Sequence, residues 1–549
     1  MSNSAVQRIE EAYQAQLQRT FYAAWPENPK AYAEDANAKG LEAFQRSLAN
    51  NFSGLDSSGS IGWIGEEVSP FLQQGLGIQY PSFSVDALIS KAESAQKLWQ
   101  KTSVETRASL LVACLDKVAE RFFEIAYATM HTTGQSFIMS FQASGPHAND
   151  RAMESISMGY KELTRFPETV NWVKNMGKFD LALHKNYKPV AKGISLVIGC
   201  STFPTWNTVP GLFASLITGN VSIVKPHPKA ILPIAIVVAE MQEVFAAAGL
   251  PKNIVQLAVD TTAAPITKAL AEHNAVKLID YTGGSAFGDY LETLSGKTVF
   301  TEKAGVNSVI LDSVKDANAV FGNLAFAASL YSGQMCTAPQ NVFVPAAGIK
   351  TAEGSLSYDE VVAGIAAAVT GLAQNPKMGA GTLGAIQNEI TANRVKETAS
   401  KSNGVAAASI SVENAEFPDA RTASPVVIAV DAADVKTWKH ECFGPIVFVV
   451  KTIDSAHSLA LAAACAAELG AITCQCYSTD ETFMTEVEDA MNASFTPVSF
   501  NFTGAAFVNQ HAAYSDFHVS GGNPSGNATF TDALYINRRF VWVGNRRMG

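Results

Sequence analysis

Three side chains stand where chemistry is plausible. Cys336 lies in YSGQMCTAPQNV, Glu302 near the end of VFTEKAG, and Asn207 in TFPTWNTVPG. A thiolate adds readily to a carbonyl carbon, a carboxylate at a strand end can take a proton or activate water, and a loop amide can donate to an oxyanion. Each has an inert alternative. An isolated cysteine is by default a small core residue, although Gly333, Gln334 and Thr337 around Cys336 are small or polar rather than core-like. Glu302 reads equally as a surface group. Asn207 suits the N-cap of the helix that follows, a role compatible with donating to a ligand.

A second set could hold an anion. Lys225 ends VSIVKP, where a lysine is either a solvated charge or a hand for a ribose or phosphate. YTGGSAFG (281–288) joins a strand to a helix through glycines, and the amides of such a helix start can receive a pyrophosphate. It is not a GxGxxG fingerprint. Glu441, in HECFGPIVFVV, reads as a turn residue or as a further ligand. The chain has no HExxH, no paired-cysteine metal spacing and no GxSxG elbow, so neither a metal nor a serine nucleophile is expected. Cys474-Gln475-Cys476 lacks the spacing of a redox pair and reads as buried strand.

The elements that must position these groups follow a regular alternation. Short apolar runs at 193–199, 221–226, 254–260, 276–283 and 299–303 are separated by helical patterns at 208–219, 230–249, 264–273 and 285–294. Nearly all-apolar strands alternating with helices call for a parallel sheet covered on both faces, which binds ligands at its C-terminal strand ends. A second α/β run contains NSVILD, VFVP, PVVIAVD and PIVFVV. RRFVWVGN (538–545) reads as a terminal strand with no obvious partner in either unit, which suggests pairing with another subunit.

At 549 residues the chain needs more than one core. With 47% hydrophobic and 16% charged residues it reads as well-buried globular protein, and the net charge of -10 argues against nucleic acid as a partner. The apolar run at 231–239 is too short to span a bilayer, and the N-terminus has no signal-peptide core. Seven scattered cysteines suggest a reducing, cytoplasmic compartment.

Taken in order, PTWNTVP, VKP, YTGGSAFG, TEKAGVNSVILD, SGQMCTAPQNV and ECFGPI resemble the aldehyde dehydrogenase superfamily from about residue 60 onward. Cys336 and Glu302 stand 34 residues apart, as that pattern expects. The resemblance implies an α/β fold with a Rossmann-type cofactor domain (61–175 and 191–300), an α/β catalytic domain (301–520) and a small oligomerisation flap (176–190 and 521–549), preceded by a helical extension (1–60). It makes Cys336 the nucleophile, Glu302 the base that hydrolyses the thioester, and Asn207 with the Cys336 N–H the oxyanion hole. Cofactor contacts would come from Thr205, Trp206, Lys225, Pro228, Gly283, Gly284, Ser285, Glu441 and Phe443. The flap segments FDLALHKNYKPV and RRFVWVGN imply a homodimer or homotetramer.

There are departures. EKAG replaces the usual ELGG, and the glycine pair shifts the usual serine by one. Pro228 stands where an NAD-selective acid is often found, so NADP is expected to be preferred, with NAD as the alternative. GWIGEEVSP, the long extension and EKAGVNSVILD are most similar to phenylacetic acid degradation proteins of the PaaN type, which implies a CoA-linked semialdehyde. A CoA-acylating enzyme and a non-enzymatic relative are the competing readings. Glu302 argues against the first, and the intact Cys336, Glu302 and Asn207 against the second.

Overall fold

A computed structural model describes residues 3–508, 513–530 and 532–549. Residues 1–2, 509–512 and 531, which fall within the extension, catalytic and tail segments read from sequence, lie outside the described residues.

Two parallel sheets form the body. The first has five strands in the spatial order Val255–Leu257, Val221–Lys225, Ile194–Ile198, Val276–Gly283, Thr298–Lys303. All are parallel neighbours. The chain therefore starts at the middle strand, winds outward on one side, then returns to wind outward on the other. The strand order reverses beside Ile194–Ile198, and the crevice beyond its end is the ligand position in such sheets. Ile194–Ile198 and Val221–Lys225 are buried along their whole length, as strands covered on both faces must be. The run at 254–260 is shorter than expected. Lys252–Ile254 turn as a 3-10 helix and only Val255–Leu257 pair, because this is the edge strand.

The second sheet has seven strands, ordered Val405–Ala407, Val426–Asp431, Ile446–Thr452, Pro339–Pro345, Asn307–Leu311, Cys474–Tyr477, Val498–Phe500. Only the Val405–Ala407 pairing is antiparallel.

Besides two small two-stranded sheets, a three-stranded antiparallel flap is formed by Phe540–Met548, Asp180–Ala191 and Thr169–Asn175. It corrects two expectations. The terminal strand does have a partner in its own chain, pairing from Phe540↔Ala191 to Met548↔Leu183. Residues 169–175, assigned by sequence to the cofactor unit, are its third strand. The tail reaches this position through a buried anchor. Arg539 donates to both oxygens of Asp280 at 2.6 and 2.7 Å, and Tyr535 donates to the same carboxylate.

The N-terminal extension is docked on the body. Helix Asn3–Gln18 buries Ile9 and Ala12, and Gln16 donates to Ser157 at 2.6 Å. Glu67 of GWIGEEVSP has a structural task, accepting from the free amides of Ile231 and Leu232 at 2.5 and 2.9 Å. These lie at the start of helix Leu232–Ala247, which has no side-chain cap of its own. Among the described residues no helix is long and apolar enough to cross a membrane.

Candidate active site

Cys336 is held by a strained turn. After helix Ala317–Ser329 the chain makes a short 3-10 turn, Leu330–Gly333, with Tyr331 at φ 51° and Ser332 at φ 50°. Left-handed backbone at two non-glycine residues costs about 1–3 kcal/mol each and survives only where the surroundings enforce it. Here they do. The Tyr331 hydroxyl donates to Thr133 O at 2.6 Å, Ser332 to Leu383 O at 3.0 Å and Gln334 to Ala385 O at 3.0 Å. A side chain on Gly333, at φ 62°, would stand 2.6 Å from Gly444 O. Asn307 fixes the far side, donating to Cys336 O at 2.7 Å while its own oxygen accepts from Ile472 and Thr473. Asn307 lay within a quoted motif, but nothing local marked it as a support for the cysteine.

Glu302 is not a surface group; it is 1% exposed. Asn207 Nδ2 donates to its Oε2 at 2.8 Å, the Cys336 thiol donates to it, and His518 Nε2 stands 3.2 Å from its Oε1. The N-cap alternative for Asn207 is thereby overturned. The N-cap of helix Val209–Ile217 is Thr208, with no side-chain bond. Donor atoms of Glu302, Cys336 and His518 lie within 4.8 Å of one another.

The electrostatics follow from this packing. Burial pushes Glu302 up, but His518, the thiol hydrogen bond and Arg151 outweigh it and hold the carboxyl below its usual range. Enclosure and then the Glu302 charge push the Cys336 thiol far up. The resting pair is thus a neutral thiol hydrogen-bonded to an ionised carboxylate, with the proton held on sulfur.

Two cavities meet at Cys336. One, of about 320 Å³, is lined by Thr282, Gly283, Gly284, Glu302, Glu441 and Phe443 and opens past the switch point of the first sheet. The other, of about 590 Å³, is lined by Ile138, Met139, Trp206, Phe326, Phe507 and His518 and includes Phe21 and Glu27 from the extension. Cys336 and Asn207 border both.

The first cavity fits a dinucleotide. Gly284 is the N-cap of helix Ser285–Glu292 and supplies no side-chain bond, so the amides of the first turn remain available to a phosphate. Glu441 lies in the cleft, its pKa lifted to about 7 by enclosure, with Arg394 acting against the lift. Lys303, the departure in EKAG, runs back over Gly288 to Asp289 at 2.7 Å and Glu292 at 3.2 Å. It ties the strand that carries Glu302 to the helix of the glycine turn.

Two cofactor contacts expected from sequence fall elsewhere. Thr205 is fully buried, its hydroxyl donating to Ser144 O at 3.3 Å. Trp206 faces the second cavity, edge-on to His518 at 4.7 Å. Trp206 therefore lines only the second cavity, whereas Asn207 next to it borders both. Lys225 ends its strand as expected but is only 3% exposed and paired with Asp260 at 2.6 Å. Its charge is matched before any ligand arrives. His227, which burial holds down at about 4, is neutral at pH 7.

A Rossmann-type sheet, a half-buried Cys–Asn pair on the buried Glu302 and a cavity on either side of it define an oxidoreductase of the aldehyde dehydrogenase class. The chain belongs to this family: the family model "Aldehyde dehydrogenase family" matches residues 79–522. Its fold is similar to a crystal structure of an NAD-dependent aldehyde dehydrogenase from Burkholderia multivorans. That structure has a TM-score of 0.95 and 42% identity, covering 99% of this chain and 98% of that one. The chain is 24% identical over 403 residues to 1-pyrroline-5-carboxylate dehydrogenase of Bacillus subtilis, covering 70% of this chain and 73% of the relative. It is 25% identical over 389 residues to vanillin dehydrogenase of Corynebacterium glutamicum, covering 69% and 74%.

Proposed function

We propose that the protein oxidises an aldehyde to the carboxylic acid with a nicotinamide dinucleotide, through a thiohemiacetal and then a thioester on Cys336. The observation that carries this is the Cys336 thiol on the buried Glu302 carboxylate, between two cavities. Cys336 gives its proton to Glu302 and attacks the carbonyl carbon. The Asn207 amide and the Cys336 N–H hold the oxyanion. The dinucleotide, held by Gly283, Gly284, Ser285, Lys225, Glu441 and Phe443, supplies the hydride acceptor. Glu302 then takes a proton from water as the water attacks the thioester, and the Cys336 thiolate leaves.

A CoA-acylating reaction has no use for this base, so the Glu302 contacts favour hydrolysis. The finer reading, a CoA-linked semialdehyde from aerobic aromatic catabolism in the cytoplasm, rests on the resemblance of GWIGEEVSP and the N-terminal extension. NADP is read as favoured because no carboxylate stands at position 228. The Asp260 partner of Lys225 limits the margin. A homodimer or homotetramer is read from the flap, where Val173, Val190, Val541 and Val543 share one face by strand register and are 41–60% exposed.

The test is dinucleotide reduction across free and CoA-linked aldehydes by the wild type and Cys336→Ala. The wild type should be active and the variant, with an unchanged melting temperature, inactive. Activity in the folded variant refutes the assignment.

A further inference from the structure

A buried base must dispose of the proton it collects. In the reaction proposed above, on which this inference rests, Glu302 takes a proton once from the thiol and once from water. At 1% exposure it meets solvent only through the smaller cavity, which the dinucleotide would fill. Its side-chain partners among the described residues are three. The Asn207 amide donates and accepts no proton. The Cys336 thiol is itself the source. The third is His518.

His518 is placed to pass the proton on. Its Nε2 faces Glu302 Oε1 at 3.2 Å, and its side chain, 11% exposed, lines the larger cavity. The ring is held on two sides, edge-on to Trp206 at 4.7 Å and stacked with Phe530 at 6.1 Å. The titratable and charged groups around it are Glu302, Cys336, Arg151 behind the Trp206 ring at 5.0 Å, and the Glu27–His147 pair in the same cavity.

We infer that His518 is the relay through which Glu302 sheds its protons into the substrate-side cavity. The neutral carboxyl formed on Glu302 gives its proton to His518 Nε2, and His518 releases another from Nδ1 to solvent. Glu302 returns to the carboxylate and no electrons move. His518 is thus a positioning and relay residue that acts through Glu302.

The experiment compares wild type, His518→Ala and His518→Gln by steady-state kinetics from pH 6 to 9, with and without added imidazole. Glutamine can donate to Glu302 but cannot relay. The expected result is a fall of about ten- to a hundredfold in kcat for both variants, with little change in either KM. Imidazole should restore part of kcat in His518→Ala but not in His518→Gln, and the rescue should rise with pH as imidazole deprotonates. Circular dichroism and dinucleotide binding should match the wild type. Wild-type kcat in His518→Ala across the range overturns the relay alone. So does a loss that imidazole does not rescue in a folded variant, which marks a structural role. If the wild type reduces no dinucleotide with any aldehyde, the reading of the site falls and the relay with it.

Discussion

The Asn207 amide and the Glu302 carboxylate are hydrogen-bonded to each other, Nδ2 to Oε2 at 2.8 Å. The donor proposed for the oxyanion is therefore engaged by the base at rest, and the carboxylate must release it as the substrate carbonyl arrives. Asn207→Ala removes the oxyanion donor and one support of the base together. We expect kcat to fall about a hundred- to a thousandfold. A fall of less than tenfold would show that the Cys336 N–H suffices.

Glu302→Gln separates the two halves of the reaction. Glutamine keeps the shape of the site but cannot activate water. Rapid mixing should give a burst of reduced dinucleotide near one equivalent, followed by a slow steady state. A steady-state rate equal to the wild type would place water activation on another group.

Asp260→Asn should remove the carboxylate paired with Lys225, which in the proposed function reaches the dinucleotide. The ratio of kcat/KM for NADP over NAD is expected to rise by about tenfold, the lower end of a charge-assisted phosphate contact. An unchanged ratio would show that Lys225 does not meet the 2′ position.

His131 links stability to pH. It is buried, stacked on Phe44 at 4.9 Å, with Nδ1 2.9 Å from Ser69 Oγ. Burial lowers its pKa from 6.5 to about 4. The fold favours the neutral ring, so its contribution is complete above pH 6.5 and lost as pH falls toward 4. His131→Gln should therefore show a smaller drop in melting temperature between pH 7.5 and 5 than the wild type. Equal drops would assign the acid sensitivity to other groups, of which His227 is one.

The flap face bearing Val173, Val190, Val541 and Val543 is expected to meet a second copy of the chain. Light scattering should give at least twice 58.3 kDa at micromolar concentration. Val173→Lys with Val541→Lys should shift the mass toward the monomer. A wild-type monomer would remove the flap from any assembly role.

The first sheet was legible because parallel strands covered on both faces are nearly all apolar, and ISLVI and VSIV each carry only one serine. Cys336, Glu302 and Asn207 were legible as motifs, but their mutual contacts were not. His518 left no local signal. It lies in a glycine-rich stretch without periodicity, 216 residues beyond Glu302. It arrives there because the chain returns along Thr298–Lys303, with an isolated bridge from Glu302 to Gly526 and Lys303 N donating to Ser525 O. Trp206 was misplaced for a related reason: a motif gives neighbours in sequence, not the side of the cysteine each one faces. The flap could not be paired from sequence because Phe540–Met548 meets a strand more than 340 residues earlier.

The Arg539–Asp280 anchor makes the last eleven residues something other than a dispensable tail. Asp280 sits on the strand that runs directly into Gly283 and Gly284. A nick or truncation before Arg539 leaves that carboxylate sealed inside the sheet without its cation, a loss of about 3–5 kcal/mol. Loss of the extreme C-terminus would therefore be felt at the glycine turn that follows Asp280, first as weakened dinucleotide binding in preparations whose Cys336 is intact.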